Sequence, residues 1–203
     1  MIKTEKRSAG LGVEVRAADD GKRTLVGYAA VFERVATISS YFKEQIASGA
    51  FADAIDGDIL ALVEHDRSRV VGRTKSGTLR LAEDGKGLRV EIDVPDTTVG
   101  NDLWVLVERG DIAGMSFGFR VVKETWDEST TPPTRTIEKL ELVEVSAVTF
   151  PAYEDTEIGV RSLQEFRDAK AAAETPPEKT AGSGAVRLRL KIQNDLRERS
   201  RPR

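Results

Sequence analysis

Along residues 11–151, apolar residues fall into short runs or alternate with charged ones, a pattern that predicts strands. Residues 25–32 (Leu-Val-Gly-Tyr-Ala-Ala-Val-Phe) and 59–65 (Ile-Leu-Ala-Leu-Val-Glu-His) are short apolar runs, and the second has the branched residues of a buried strand. Residues 78–82 and 88–94 alternate apolar with charged residues, and Glu-Asp-Gly-Lys-Gly between them supplies turn residues, so a hairpin is expected. Residues 112–124 and 134–150 form a longer strand pair around the polar, proline-containing loop 126–133. Two helices interrupt the strands. Residues 48–55 make a short one with Ser48 as cap, and residues 98–109 one with a Thr cap, Leu103, Leu106 and Val107 on one side, and Gly110 as stop. The expected class is β-rich α+β.

After residues 151–153 (Pro-Ala-Tyr) the character changes. Residues 162–173 are helix-prone, with Leu163 and Phe166 at helical spacing. Residues 174–185 have the composition of a linker, and residues 186–203 place Leu188, Ile192 and Leu196 on a basic amphipathic segment. The expected organisation is an N-terminal segment with a first strand (1–24), a β-rich domain (25–161), a helix, a linker and a basic tail.

The chain of 203 residues has 31 Lys plus Arg against 34 Asp plus Glu, a net charge of −3. That total averages two regions. The tail holds Arg187, Arg189, Lys191, Arg197, Arg199, Arg201 and Arg203 against Asp195 and Glu198, a local +5 that leaves −8 for residues 1–185. No aromatic residue is interleaved with these cations, so the tail argues for non-specific attraction and against sequence-specific nucleic-acid binding. No apolar run approaches the roughly 18 residues needed to span a bilayer, which predicts a soluble, cytoplasmic protein without a membrane role.

Zero cysteines exclude disulfides, thiolate metal sites and a thiol nucleophile. The single His65 excludes a poly-histidine metal cage and is the one ordinary candidate for a base near neutral pH. Asp53, Asp56 and Asp58 lack the order of a calcium loop, and there is no phosphate-binding glycine fingerprint, so neither a metal nor a cofactor is expected.

Gly114-Met115-Ser116-Phe117-Gly118 matches G-x-S-x-G, but strand-like residues follow it and the histidine precedes it, both contrary to an α/β-hydrolase elbow. Ser116 nonetheless shares strand parity with Gly114, Gly118 and Arg120, a face without bulk where another group can approach. His65 ends an apolar strand, a rigid support for a side chain entering a site. Glu144 shares parity with Leu140, Leu142 and Val148, and a carboxylate on an apolar face needs a partner such as an imidazole N–H. Glu141 has the opposite parity, with Val143 and Val145, and parity alone leaves either face open.

Glu64-His65-Asp66, Gly114-Met-Ser-Phe-Gly-Phe119 and Val143-Glu-Val-Ser-Ala-Val-Thr-Phe-Pro-Ala-Tyr153 together resemble the successive signatures of the tailed-phage (caudovirus) prohead proteases. Gly27-Tyr-Ala-Ala-Val-Phe32 and Ser48-Gly-Ala-Phe-Ala52 extend the resemblance over residues 25–161. It implies a serine endopeptidase with an assemblin-like fold, a closed or nearly closed β-barrel surrounded by several short helices. It implies Ser116 as nucleophile, His65 as general base and Glu144 as third member, with Asp66 and Glu141 as alternatives for the last role. The partners it implies are the major capsid protein, a scaffolding protein, or both, with self-cleavage and a homo-oligomer among the options. The expected location is the bacterial host's cytoplasm, inside the immature capsid. A competing reading is a non-catalytic assembly module that keeps the same barrel and binds scaffold or capsid protein.

Overall fold

The computed structural model describes residues 4–17, 22–150 and 156–174. The chain divides into two compact units, residues 1–165 and 166–203, and the linker and tail expected beyond residue 174 lie outside the described residues.

Strand periodicity produces two sheets. The first holds β1 (Glu5–Gly12), β4 (Ala36–Thr37), β5 (Lys43–Ile46), β6 (Leu60–Val63), β7 (Asp66–Arg73), β10 (Gly114–Asp127) and β11 (Thr134–Val148). The second runs β2 (Glu14–Ala17), β3 (Arg23–Val31), β9 (Gly87–Asp93), β8 (Leu79–Glu83). The expected hairpin is β8–β9 and the expected long pair is β10–β11, both antiparallel. Helix α1 (Thr98–Glu108) starts where Thr97 accepts a hydrogen bond from the Gly100 amide and buries Leu103 and Val107. A second helix, α2, spans Thr156–Glu174, six residues earlier in onset than the pattern suggested.

Three expectations are corrected. Residues 48–55 form consecutive turns instead of a helix. Gly49 sits at φ +88°, outside helical space, and the Glu83 carboxylate accepts from the Gly49 and Phe51 amides at 2.6 and 3.1 Å, so these amides point to β8. β1 begins at Glu5, ahead of the strand pattern seen from residue 11, because its charged residues pair with other buried charges.

The barrel does not close: among the described residues neither sheet pairs back on itself or with the other. On one side β1 and β2, separated only by Val13, pass the chain from the first sheet to the second. On the other side a 3₁₀ turn, Thr74–Ser76, with Gly77 at φ +71°, reverses the chain between β7 and β8. There the Arg73 amide donates to Thr78 Oγ1 at 3.0 Å and the Asp93 amide to Thr78 O at 2.9 Å. The Arg73 amide is thus used within the turn and Thr78 O is taken by β9, and among the described residues no ladder joins β7 to β8.

Between the sheets lies the core, in which Phe32, Phe51, Phe117 and Phe119 form a chain of ring contacts with centroids 4.9–6.1 Å apart. One margin of the first sheet carries a buried ion cluster. Arg135 of β11 donates to Glu5 of β1 at 2.8 Å, Glu44 of β5 at 3.0 Å and Glu124 of β10 at 2.6 Å. Arg7 of β1 donates to Glu44 at 2.6 Å and Glu5 at 2.8 Å. Burial by itself would lower the Arg135 pKa, but the hydrogen bond with Glu5 and the charges of Glu44, Glu5 and Glu124 outweigh it and raise it. Four strands are thus fastened together by a cluster of which Glu5, Arg7, Glu44 and Arg135 are buried and Glu124 is partly exposed.

Candidate active site

His65 enters the site from a tight turn. Val63 of β6 pairs with Asp66 of β7, so Glu64 and His65 are the two residues of a hairpin loop. Their φ values, +55° and +58°, are those a type I′ turn requires, normally met by Asn-Gly. Holding two bulky residues there costs about 1–3 kcal/mol each. The surroundings oppose relaxation. The Thr149 amide donates to Glu64 Oε1 at 2.6 Å, the Glu64 amide donates to Ala147 O at 3.0 Å, and His65 Nδ1 lies 2.7 Å from Glu144 Oε1.

Glu144 reaches that position through a β-bulge. Gly118 pairs with Glu144 but Phe119 pairs with Leu142, so Val143 is an extra residue on β11. Strict alternation would place Glu144 on the face of Leu140 and Leu142. The bulge instead keeps Leu142 with Phe119 on the core face and turns Glu144 to the other side, beside Gly118. Ser146 pairs with Ser116 on that same face. Sequence parity thus singled out the carboxylate that stands beside His65 but put it on the opposite face.

Close approach explains the glycine. A methyl group on Gly118 would lie 2.4 Å from Glu144 Oε1, where no carbon fits. The carboxylate lies against the bare backbone of β10, with Oε1 at His65 and Oε2 accepting from Ser146 Oγ at 2.5 Å. All three side chains are largely withdrawn from water: Ser146 is fully buried, Glu144 is 7% exposed, and the His65 side chain is 13% exposed. An ionised carboxylate can only accept, so Nδ1 is the donor in this contact, and in the neutral ring Nε2 is then the nitrogen with the lone pair.

Ser116 stands on the same face, two residues along β10 from Gly118, at the small-residue position the pattern marked. Its hydroxyl donates to the Arg7 carbonyl of β1 at 2.8 Å, and no hydrogen bond joins it to His65 among the described residues. The alternative acids are engaged elsewhere. Asp66 accepts from the Ser68 amide and hydroxyl at 2.8 and 2.7 Å, and Glu141 pairs with Arg120 at 2.9 Å. Asp53 is paired with Lys139, and Asp58 with Arg73 and Lys75. Ser146, which the sequence reading passed over inside its strand, is the added member of the constellation.

Residues 12–169 match the family described as caudovirus prohead serine protease. The chain belongs to this family. The prohead protease of Enterobacteria phage HK97 is 31% identical over 168 residues, covering 77% of this chain and 70% of the relative. The bacteriophage T4 capsid assembly protease has the same fold, with TM-score 0.52 at 14% identity over 72% of this chain and 97% of the T4 chain. This prohead protease family member therefore carries its His65–Glu144 pair and Ser116 on a protease scaffold, and among the described residues no helix is long and apolar enough to cross a membrane.

Proposed function

We propose that this protease is a serine endopeptidase of phage capsid maturation. It cleaves scaffold or the scaffolding region of the major capsid protein, and itself, inside the prohead of the bacterial host. The observation that carries the mechanism is the 2.7 Å contact between His65 Nδ1 and Glu144 Oε1 on the face that presents Ser116.

The steps follow from those positions. Ser116 Oγ exchanges the Arg7 carbonyl for His65 Nε2, which takes its proton as Oγ attacks the scissile carbonyl carbon. Glu144 fixes the ring and stabilises the imidazolium. The tetrahedral intermediate collapses, Nε2 returns the proton to the departing amine, and the C–N bond breaks to leave an ester on Ser116. Water, deprotonated by the same Nε2, then releases the acid product and restores the hydroxyl.

One observation favours the non-catalytic module as a second reading: Ser116 is 1% exposed and its hydroxyl is held by β1. A serine-directed organophosphonate separates the two. With the capsid protein of the same phage present, the adduct is expected on Ser116 in the wild type and strongly slowed in His65→Ala. An adduct on another serine, or cleavage that the reagent never inhibits, would contradict the serine mechanism.

A further inference from the structure

A buried hydroxyl in the middle of a strand needs a partner, and the backbone of Ser146 supplies no use for it. That backbone is already paired on both sides, with Ser116 of β10 and with Leu62 of β6. Serine is a weak strand former, and an aliphatic residue would suit a fully buried ladder position better. What the hydroxyl does is donate to Glu144 Oε2 at 2.5 Å.

The Glu144 carboxylate is clamped from three sides. Oε2 is held by Ser146, Oε1 by His65, and the group rests against Gly118, where a methyl would come to 2.4 Å. Take away the Ser146 hydroxyl and the carboxylate can turn about its last torsion, a broad and weakly restrained one. Oε1 then leaves the imidazole. Because His65 hangs from a two-residue turn, its ring orientation depends on that contact.

We propose that Ser146 is a positioning residue of the proteolytic site: its hydroxyl, with the space left by Gly118, sets the Glu144 carboxylate in the orientation that aligns His65. The inference rests on the reading of His65 and Glu144 as the acid–base unit. Ser146 acts through Glu144, so its effect exists only where Glu144 is present.

The test is a double-mutant cycle on the full chain, with the major capsid protein of the same phage as substrate at saturating and sub-saturating concentrations. Ser146→Ala is expected to lower kcat about 10- to 100-fold, as small misplacements of catalytic groups do, with KM changed less than about twofold. In a Glu144→Ala background the same substitution changes kcat less than about twofold. Ser146→Thr, which keeps the hydroxyl, recovers most of the loss. Gly118→Ala reaches the same carboxylate from the other strand: it is harmful with Glu144 present and silent in Glu144→Ala, where its methyl has room. That pair reads the clamp even if Ser146→Ala does not fold. Equal losses in both backgrounds, or no loss in either, would overturn the inference. If Ser116→Ala and His65→Ala are themselves active, the proteolytic reading fails instead, so the two failures are distinguishable.

Discussion

Replacing His65 with alanine is expected to slow cleavage of the capsid protein about 10⁴-fold or more, because no other imidazole exists in the chain to take the Ser116 proton. The loss should fall in kcat, since His65 acts on the reacting proton and not on the remote parts of the substrate. Alanine adopts φ +58° less readily than histidine and loses the Glu144 contact, so thermal unfolding of the variant separates any loosening of the hairpin from the chemical defect. Glu144→Ala should be milder by about a hundredfold, as orienting acids are elsewhere, because the imidazole itself remains. Single-turnover rates with each purified variant, alongside their thermal unfolding, check both. A His65→Ala enzyme that cleaves within tenfold of wild type would remove the base from the mechanism.

The largest stability effect is expected at Arg135, far from any reacting atom. It is 1% exposed and donates to Glu5, Glu44 and Glu124, so Arg135→Ala leaves the buried Glu5 and Glu44 with Arg7 alone and takes that cation from the partly exposed Glu124. Breaking one member out of a buried ionic cluster costs about 3–5 kcal/mol. Lysine would not repair it, because one ammonium cannot reproduce the planar fork that serves β1, β5 and β10 together. Urea unfolding reads the loss directly. A midpoint unchanged in Arg135→Ala would show that the cluster does not hold the strands. The first strand to loosen should be β1, which depends on Glu5 and Arg7 for its buried contacts and supplies the carbonyl that holds the Ser116 hydroxyl. Proteolytic nicking near the N-terminus should rise accordingly.

Periodicity was informative where one face meets the core and the other does not. The β8–β9 hairpin, the β10–β11 pair and α1 alternate or repeat cleanly, and their turn and cap residues agree with them. It failed where tertiary contacts decide. Gly49 and the Glu83 carboxylate convert a helix-like run into turns, and no local pattern announces a carboxylate arriving from β8. β1 looks polar because its buried charges are matched by Glu44 and Arg135 from distant segments. Barrel closure was an implication of the resemblance, and among the described residues β7 and β8, joined through the Thr74–Ser76 turn, do not pair.

At the site, His65, Ser116 and Glu144 were legible as types and positions, while their geometry was not. An extra residue at Val143 reverses the face on which Glu144 stands, and counting by twos cannot show it. Ser146 was hidden for a related reason: a serine in a strand reads as filler until the carboxylate it holds is in place. Gly118 did carry a signal, a second glycine on the serine face, and the structure supplies its cause in the volume of the Glu144 carboxylate.

The central claim, that Ser116 is the nucleophile of a capsid-maturation protease, is tested most directly by intact-mass time courses of wild type and Ser116→Ala, each mixed with the major capsid protein of the same phage. The account predicts that wild type generates discrete capsid-protein and self-cleavage fragments while the Ser116→Ala mixture keeps its starting masses. Equal processing by the two proteins, or two mixtures that both stay intact, would contradict it.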